Sequence, residues 1–297
     1  MKVSYDRIQF YVTFPSVPVP VEKVWNILSG YLQQCGSLPE QFEVSQLAGH
    51  SPKHKGEDDI RLNADQIEKL IRDRGLDGFT ITSGRMPRSL DFWLFHAKEM
   101  GRQSVLHSMI ERLAQAPDDW GGMLESMMKA FPTTGAWQWR GLYRSWQGAE
   151  CLETGYERRY GKLPTGCKTR KEPSPDGYGE GKTMIDISLN PGRPKELYHF
   201  SHFYPTAEMW LGPHFWQYAK CTKEEALAAD FWLETRETAH FSYFKCWPTA
   251  FTRPDGEQGR MQQRLWKLFF HEDCEWPPGS GSICDEPMYG PPELMPS

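Results

Sequence analysis

The sequence predicts an α+β protein made of two similar-sized α/β sub-units packed as one globular body. Three observations lead there. Short stretches of alternating, aromatic and β-branched residues are interleaved with stretches whose apolar residues recur at helical spacing. A Pro/Gly-rich segment interrupts the chain near its middle. At 297 residues, with 13% aromatic and 25% charged residues, the chain is long enough to bury a sizeable core and has a globular composition.

The elements follow in order. Residues 6–14, Asp-Arg-Ile-Gln-Phe-Tyr-Val-Thr-Phe, alternate as a strand, and Pro15, Pro18 and Pro20 end it. A helix follows from Val21 to about Leu32, with Val21, Val24, Trp25, Leu28 and Leu32 on one face. The polar stretch 50–59 is a loop. Asn63 caps a helix over Ala64–Arg74, with Ile67, Leu70 and Ile71 inward and Gly75 as its stop. Gly78–Thr82 is a strand and Leu90–Ala97 a further apolar stretch. Helices are expected over Ser104–Ala114 and around Trp120–Ala130.

Residues 151–182 carry Pro164, Pro173, Pro175 and six glycines and read as a connection between an N-terminal half, 1–150, and a C-terminal half, 183–270. Thr183–Leu189 resumes as a half-buried strand, with Ile185, Ile187 and Leu189 on one face and Met184, Asp186 and Ser188 on the other. Met209-Trp-Leu-Gly-Pro-His-Phe-Trp216 runs a tight Gly-Pro turn into aromatics. A helical segment holding Glu224, Glu225 and Asp230 follows, then an alternating strand His240–Trp247 and a last helix ending at Phe270.

The stretch from Phe79 to His96 echoes that from Ile185 to His202: a strand, a Gly-Arg turn, and an aromatic run ending in His. This is either a duplicated unit, a pseudo-repeat, or a coincidence of common patterns.

No apolar run approaches the roughly 18 residues of a spanning helix, and the polar N-terminus has no signal-peptide core, which points to the cytoplasm. Seven scattered cysteines without a CxxC read as free thiols. The net charge of −5 is unevenly spread. The tail, 271–297, has six carboxylates and no Lys or Arg, which leaves +1 for the other 270 residues. Without a basic face, direct nucleic-acid binding is not expected.

Chemistry-bearing clusters are few. His199, His202 and His214 are the best metal set, and a metal-dependent hydrolase using them is the alternative reading of function. On a strand, however, residues three apart point to opposite faces. His240 with Cys246 could form a nucleophile pair, but Cys246 reads as packing. Glu234 and Glu237 could act as paired acids, but Arg236 between them suggests a charged strand edge or helix end. Gly177, Gly179 and Gly181 lack the strand and helix that a dinucleotide loop needs. No cofactor motif is present, and the chain is not expected to be an enzyme.

The tail 271–297 is acidic and Pro-rich. Its carboxylates alternate with aromatics, and Glu272, Asp273, Glu275, Trp276, Asp285 and Glu286 are the expected partner contacts, suited to a basic surface such as the DNA cleft of a nuclease.

The segments Trp210-Leu-Gly-Pro-His-Phe-Trp216, Ala228-Ala-Asp-Phe-Trp232 and Lys245-Cys-Trp-Pro-Thr-Ala-Phe-Thr252, with the Leu265–Phe270 helix, resemble the immunity protein 52 family of bacterial polymorphic toxin systems. The resemblance covers 183–270 and, more loosely, 1–150. It implies an α+β cytoplasmic inhibitor that binds and neutralises a cognate toxin, usually a nuclease effector of a type VI secretion system, by occluding its active site. It carries over no catalytic residues and leaves the oligomeric state open.

Overall fold

The computed structural model describes residues 8–15, 19–47, 60–74, 79–82, 89–96, 104–111, 117–147, 154, 157, 162–163, 165–172, 181–186, 190–198 and 201–272. Strand β1, Ile8–Phe14, is the centre of a ten-stranded sheet and is buried on both faces. Helix α1, Val21–Gln34, buries the five residues its spacing predicts. Strands β2 (Phe42–Leu47) and β3 (Ile60–Leu62) follow, then helix α2 (Ala64–Arg74). Asn63 caps α2 as expected: its side-chain oxygen accepts from the Gln66 N–H, and the Gln66 side chain accepts from the Asn63 N–H, both at 2.9 Å.

The sheet continues with β4 (Phe79–Thr82), β5 (Ser89–His96) and β6 (Ser104–Glu111). The last corrects the helix expected over Ser104–Ala114. β6 lies between β1 and β5 and pairs with both, over 104–107 and over its whole length; two ladders outweigh a weak local helical preference. Helix α3 (Gly121–Ala130), strand β7 (Gly135–Arg140) and helix α4 (Gly141–Gln147) follow.

Within the 151–182 connection, β8 (Thr169–Glu172) pairs with β9 (Lys182–Ile185) as a separate hairpin. Of the expected strand Thr183–Leu189, Ile185 is buried as predicted, but so is Asp186, which alternation sets on the other face; residues 187–189 lie outside the described residues. An ion pair with Arg170 at 3.7 Å accounts for the burial of Asp186. β10 (Lys195–Tyr198) and β11 (Ser201–Phe203) form another two-stranded sheet. The two segments of the internal echo therefore sit in different sheets.

β12 (Glu208–Leu211) leads into a 3₁₀ turn, Pro213–Gln217. A Cβ at Gly212 would collide with the Thr133 carbonyl oxygen, so close approach of two backbones, not an unusual φ, demands glycine there. Helix α5 (Lys223–Leu227) starts in a capping box between Thr222 and Glu225. Strands β13 (Glu234–Glu237) and β14 (Ser242–Lys245) precede the last helix, α6 (Gly256–Phe270).

The main sheet runs β13-β14-β12-β7-β1-β6-β5-β4-β2-β3, antiparallel throughout. Period-2 alternation divides the core into two. Phe10, Val12 and Phe14 face α1, α2 and α3. Tyr11, Trp137, Met209, Leu211 and Phe244 face the other way, onto Phe203, Phe215, Leu265, Trp266 and Phe269. The fold is thus α+β. Among the described residues no helix is long and apolar enough to cross a membrane.

Candidate partner-binding surface

Four neighbouring strands build one polar strip on the α3 face of the sheet. Register places Gln138 of β7 opposite Glu208 of β12, Glu208 opposite Lys245 of β14, and Lys245 opposite Glu234 of β13. Two residues along each strand a second row runs Ala136, Trp210, Tyr243, Arg236. Alternation brings both rows to the same face.

The rows are wired together. The Gln138 amide nitrogen donates to Asp119 at 2.9 Å and to Glu208 at 2.8 Å. Its oxygen accepts from the Trp120 backbone N–H at 2.9 Å. Lys245 forms a close ion pair with Glu208, and that hydrogen bond holds the ammonium above its ordinary pKa. In the second row, Arg236 donates to Glu125 of α3 at 2.6 Å and stacks 4.8 Å over the Tyr243 ring. The Arg236 hydrogen bond holds the Glu125 carboxyl below its ordinary pKa, against an opposing effect of burial. Burial, followed by the charges of Glu208 and Glu234, pushes the Tyr243 hydroxyl up.

The first row opens into a cleft of about 490 Å³, lined also by Asp118, Asp119, Arg140 and the 248–250 turn. Carboxylates outnumber cations along this strip by one: Asp118, Asp119, Glu125, Glu208 and Glu234 stand against Lys129, Arg140, Arg236 and Lys245. Such a face suits a polar partner surface of net positive charge. A second cleft, of about 620 Å³, is lined by Trp216, Lys220, Cys221, Lys223, His240 and Phe241, among others.

Of the residues singled out in the sequence, Glu272 is half-buried and accepts from Lys195 at 3.1 and 3.2 Å. Asp273, Glu275, Trp276, Asp285 and Glu286 lie outside the described residues, as does His199. His202 packs among rings, 6.3 Å from Tyr11 and 6.0 Å from Tyr204. His214 sits in the 3₁₀ turn, where burial holds its imidazole below the ordinary pKa. Among the described residues no three His, Cys, Asp or Glu side chains gather as a metal site would require.

The Cys246 thiol is buried and donates to the Thr206 carbonyl at 3.6 Å. Burial raises its pKa, the reverse of an activated nucleophile. Glu234 and Glu237 are exposed on an edge strand, one of the two placements that Arg236 between them suggests, but face opposite ways: Glu237 pairs with Lys223 of α5. Gly177 and Gly179 lie outside the described residues.

The strip joining positions 119, 138, 208, 234 and 245 was missed in the sequence. The signal available was polar residues alternating with aromatics, as in Trp137-Gln-Trp139. Only strand order turns those separate positions into neighbours.

No protein-family model matches the chain, and no curated relative matches it in sequence. Among solved structures the chain is similar to the Pseudomonas aeruginosa T6SS protein PA0821, with a TM-score of 0.50 and 12% identity over 89% of this chain and 75% of that one. At this identity the likeness is one of fold.

Proposed function

We propose that this chain is an immunity protein of a type VI secretion system. It binds a cognate secreted toxin, a nuclease effector, and occludes the toxin's active site, acting stoichiometrically in the cytoplasm and without turnover of its own. The observation that carries the reading is the backbone likeness to a protein named for the T6SS. It agrees with the resemblance of residues 183–270 to the immunity protein 52 family.

The physical features support the same reading. A nuclease that grips DNA presents a basic cleft. Against it this chain offers Glu272, Asp273, Glu275, Trp276, Asp285 and Glu286 in its tail, and a carboxylate-rich strip whose charges are held in place by mutual hydrogen bonds. Preset charges speed association and lower the ordering cost of binding. Tight neutralisation takes about 1,600 Å² of total buried surface, well within the reach of a chain of 297 residues.

The test is a titration of the chain against the nuclease domain encoded beside it, read as DNA cleavage and by calorimetry. The expected result is complete loss of cleavage at one equivalent. Changing Glu272, Asp273, Glu275, Asp285 and Glu286 to Gln or Asn should weaken binding and flatten its salt dependence. Full cleavage with the chain at about 10 µM, roughly tenfold above a micromolar dissociation constant, overturns the reading.

A further inference from the structure

Among the described residues the ten-stranded sheet ends in β13, with no strand paired to its outer side. All four of its residues, Glu234, Thr235, Arg236 and Glu237, are exposed. Leu233, just before it, is 59% exposed, the one large hydrophobic side chain so placed among the described residues. The Thr238 N–H donates to the Phe241 carbonyl oxygen at 3.0 Å, which makes 238 and 241 a hydrogen-bonded pair. Antiparallel pairs alternate, so Arg236 and Tyr243 are the next such pair. Thr235 and Glu237 therefore turn their own N–H and C=O groups outward, away from β14.

We propose that this open edge pairs antiparallel with the same edge of a second copy, about a twofold axis through Thr235. The argument is register. A new ladder must set outward-turned residues against one another, which leaves three choices. Glu237 against Glu237 opposes two carboxylates. Thr235 against Glu237 sets Arg236 opposite Arg236. Thr235 against Thr235 sets Glu234 opposite Arg236 twice, at the non-hydrogen-bonded positions where side chains come closest. Charges on an edge strand usually ward off pairing. Here their order, Glu-Thr-Arg-Glu, blocks two registers and favours the third.

Two four-residue strands bury less than the roughly 1,200 Å² of a tight interface, so the dimer is weak, with a dissociation constant on the order of micromolar or above. This inference does not rest on toxin binding. It concerns the chain alone, and its test contains no toxin.

Sedimentation velocity of the full chain between about 1 and 300 µM, spanning that constant, should show a monomer converting to a dimer. Thr235→Pro removes only an outward donor, so the hairpin keeps its bonds. It should weaken the dimer by about tenfold or more with the melting temperature retained. Glu234→Arg and Arg236→Glu should each abolish self-association, while an equimolar mixture of the two restores a dimer, because every cross-strand position then opposes unlike charges. A chain that stays monomeric throughout the range overturns the proposal. So does a dimer that Thr235→Pro leaves intact, or a mixture of the charge variants that stays monomeric.

Discussion

The same strands show two different chemistries on their two faces. On one side of β7, β12 and β14, Trp137, Met209 and Phe244 are fully buried against the aromatic face of α6. On the other, Gln138, Glu208 and Lys245 make a hydrogen-bonded polar strip that opens to a cleft. Side chains one position apart in sequence thus serve stability and recognition separately. The aromatic face depends on area and shape, so it fails by leaving a cavity. The polar face depends on every donor finding its acceptor, so it fails by leaving one stranded.

The aromatic face should break hardest. Phe269 is fully buried, with ring centroids 5.3 Å from Phe203, 5.4 Å from Phe215 and 6.1 Å from Phe244. Phe269→Ala removes the ring on which all three converge, and should cost about 3–5 kcal/mol. Denaturant unfolding measures it. A loss under about 1 kcal/mol, the size of an ordinary surface change, would mean that the cluster collapses onto the gap and that the two faces do not differ in kind.

The polar face should lose less, and for another reason. Gln138→Leu keeps the volume of the side chain but strands the Trp120 N–H at the start of α3. It also removes the donor shared by Asp119 and Glu208. Leaving one buried donor unsatisfied costs about 1–3 kcal/mol. Gln138→Glu sharpens the comparison, because it keeps the acceptor for Trp120 while adding a third carboxylate. Both variants lose the amide donor, so if Gln138→Glu is as stable as the parent, the shared donor is not what holds the strip together.

Features that repeat within one element were legible in the sequence, whereas the polar strip was not. The helix face of Val21, Val24, Trp25, Leu28 and Leu32, the Asn63 cap and the end of the last helix at Phe270 all follow from spacing within one element. The failures share a cause outside the element. Ser104–Glu111 has no local reason to be extended, and its two neighbours in the sheet supply one. Asp186 has no local reason to be buried, and Arg170 on another strand supplies one. The Gln138–Glu208–Lys245–Glu234 strip is an extreme of the same kind, because its four members come from four strands and meet only through strand order.

The smallest expected effect tests the outer end of the polar face, and pH is the means. Glu125 leaves only 20% of its side chain exposed and accepts from Arg236 at 2.6 Å and from Trp210 at 3.4 Å. The Arg236 hydrogen bond depresses its folded pKa below the ordinary 4.5. A depressed carboxyl stabilises the fold above its unfolded pKa, and that contribution disappears as pH falls through the folded value. Glu125→Gln still accepts hydrogen bonds but does not titrate. The variant should be less stable than the parent at pH 7, and the gap should narrow below about pH 4.5 as the parent's carboxylate protonates. Other acids titrate in both proteins and cancel in the difference. A gap that stays constant from neutral pH to about pH 3 would mean that charge adds nothing to the Arg236 contact, and that the outer end of the strip is held by neutral hydrogen bonding and by packing over the Tyr243 ring.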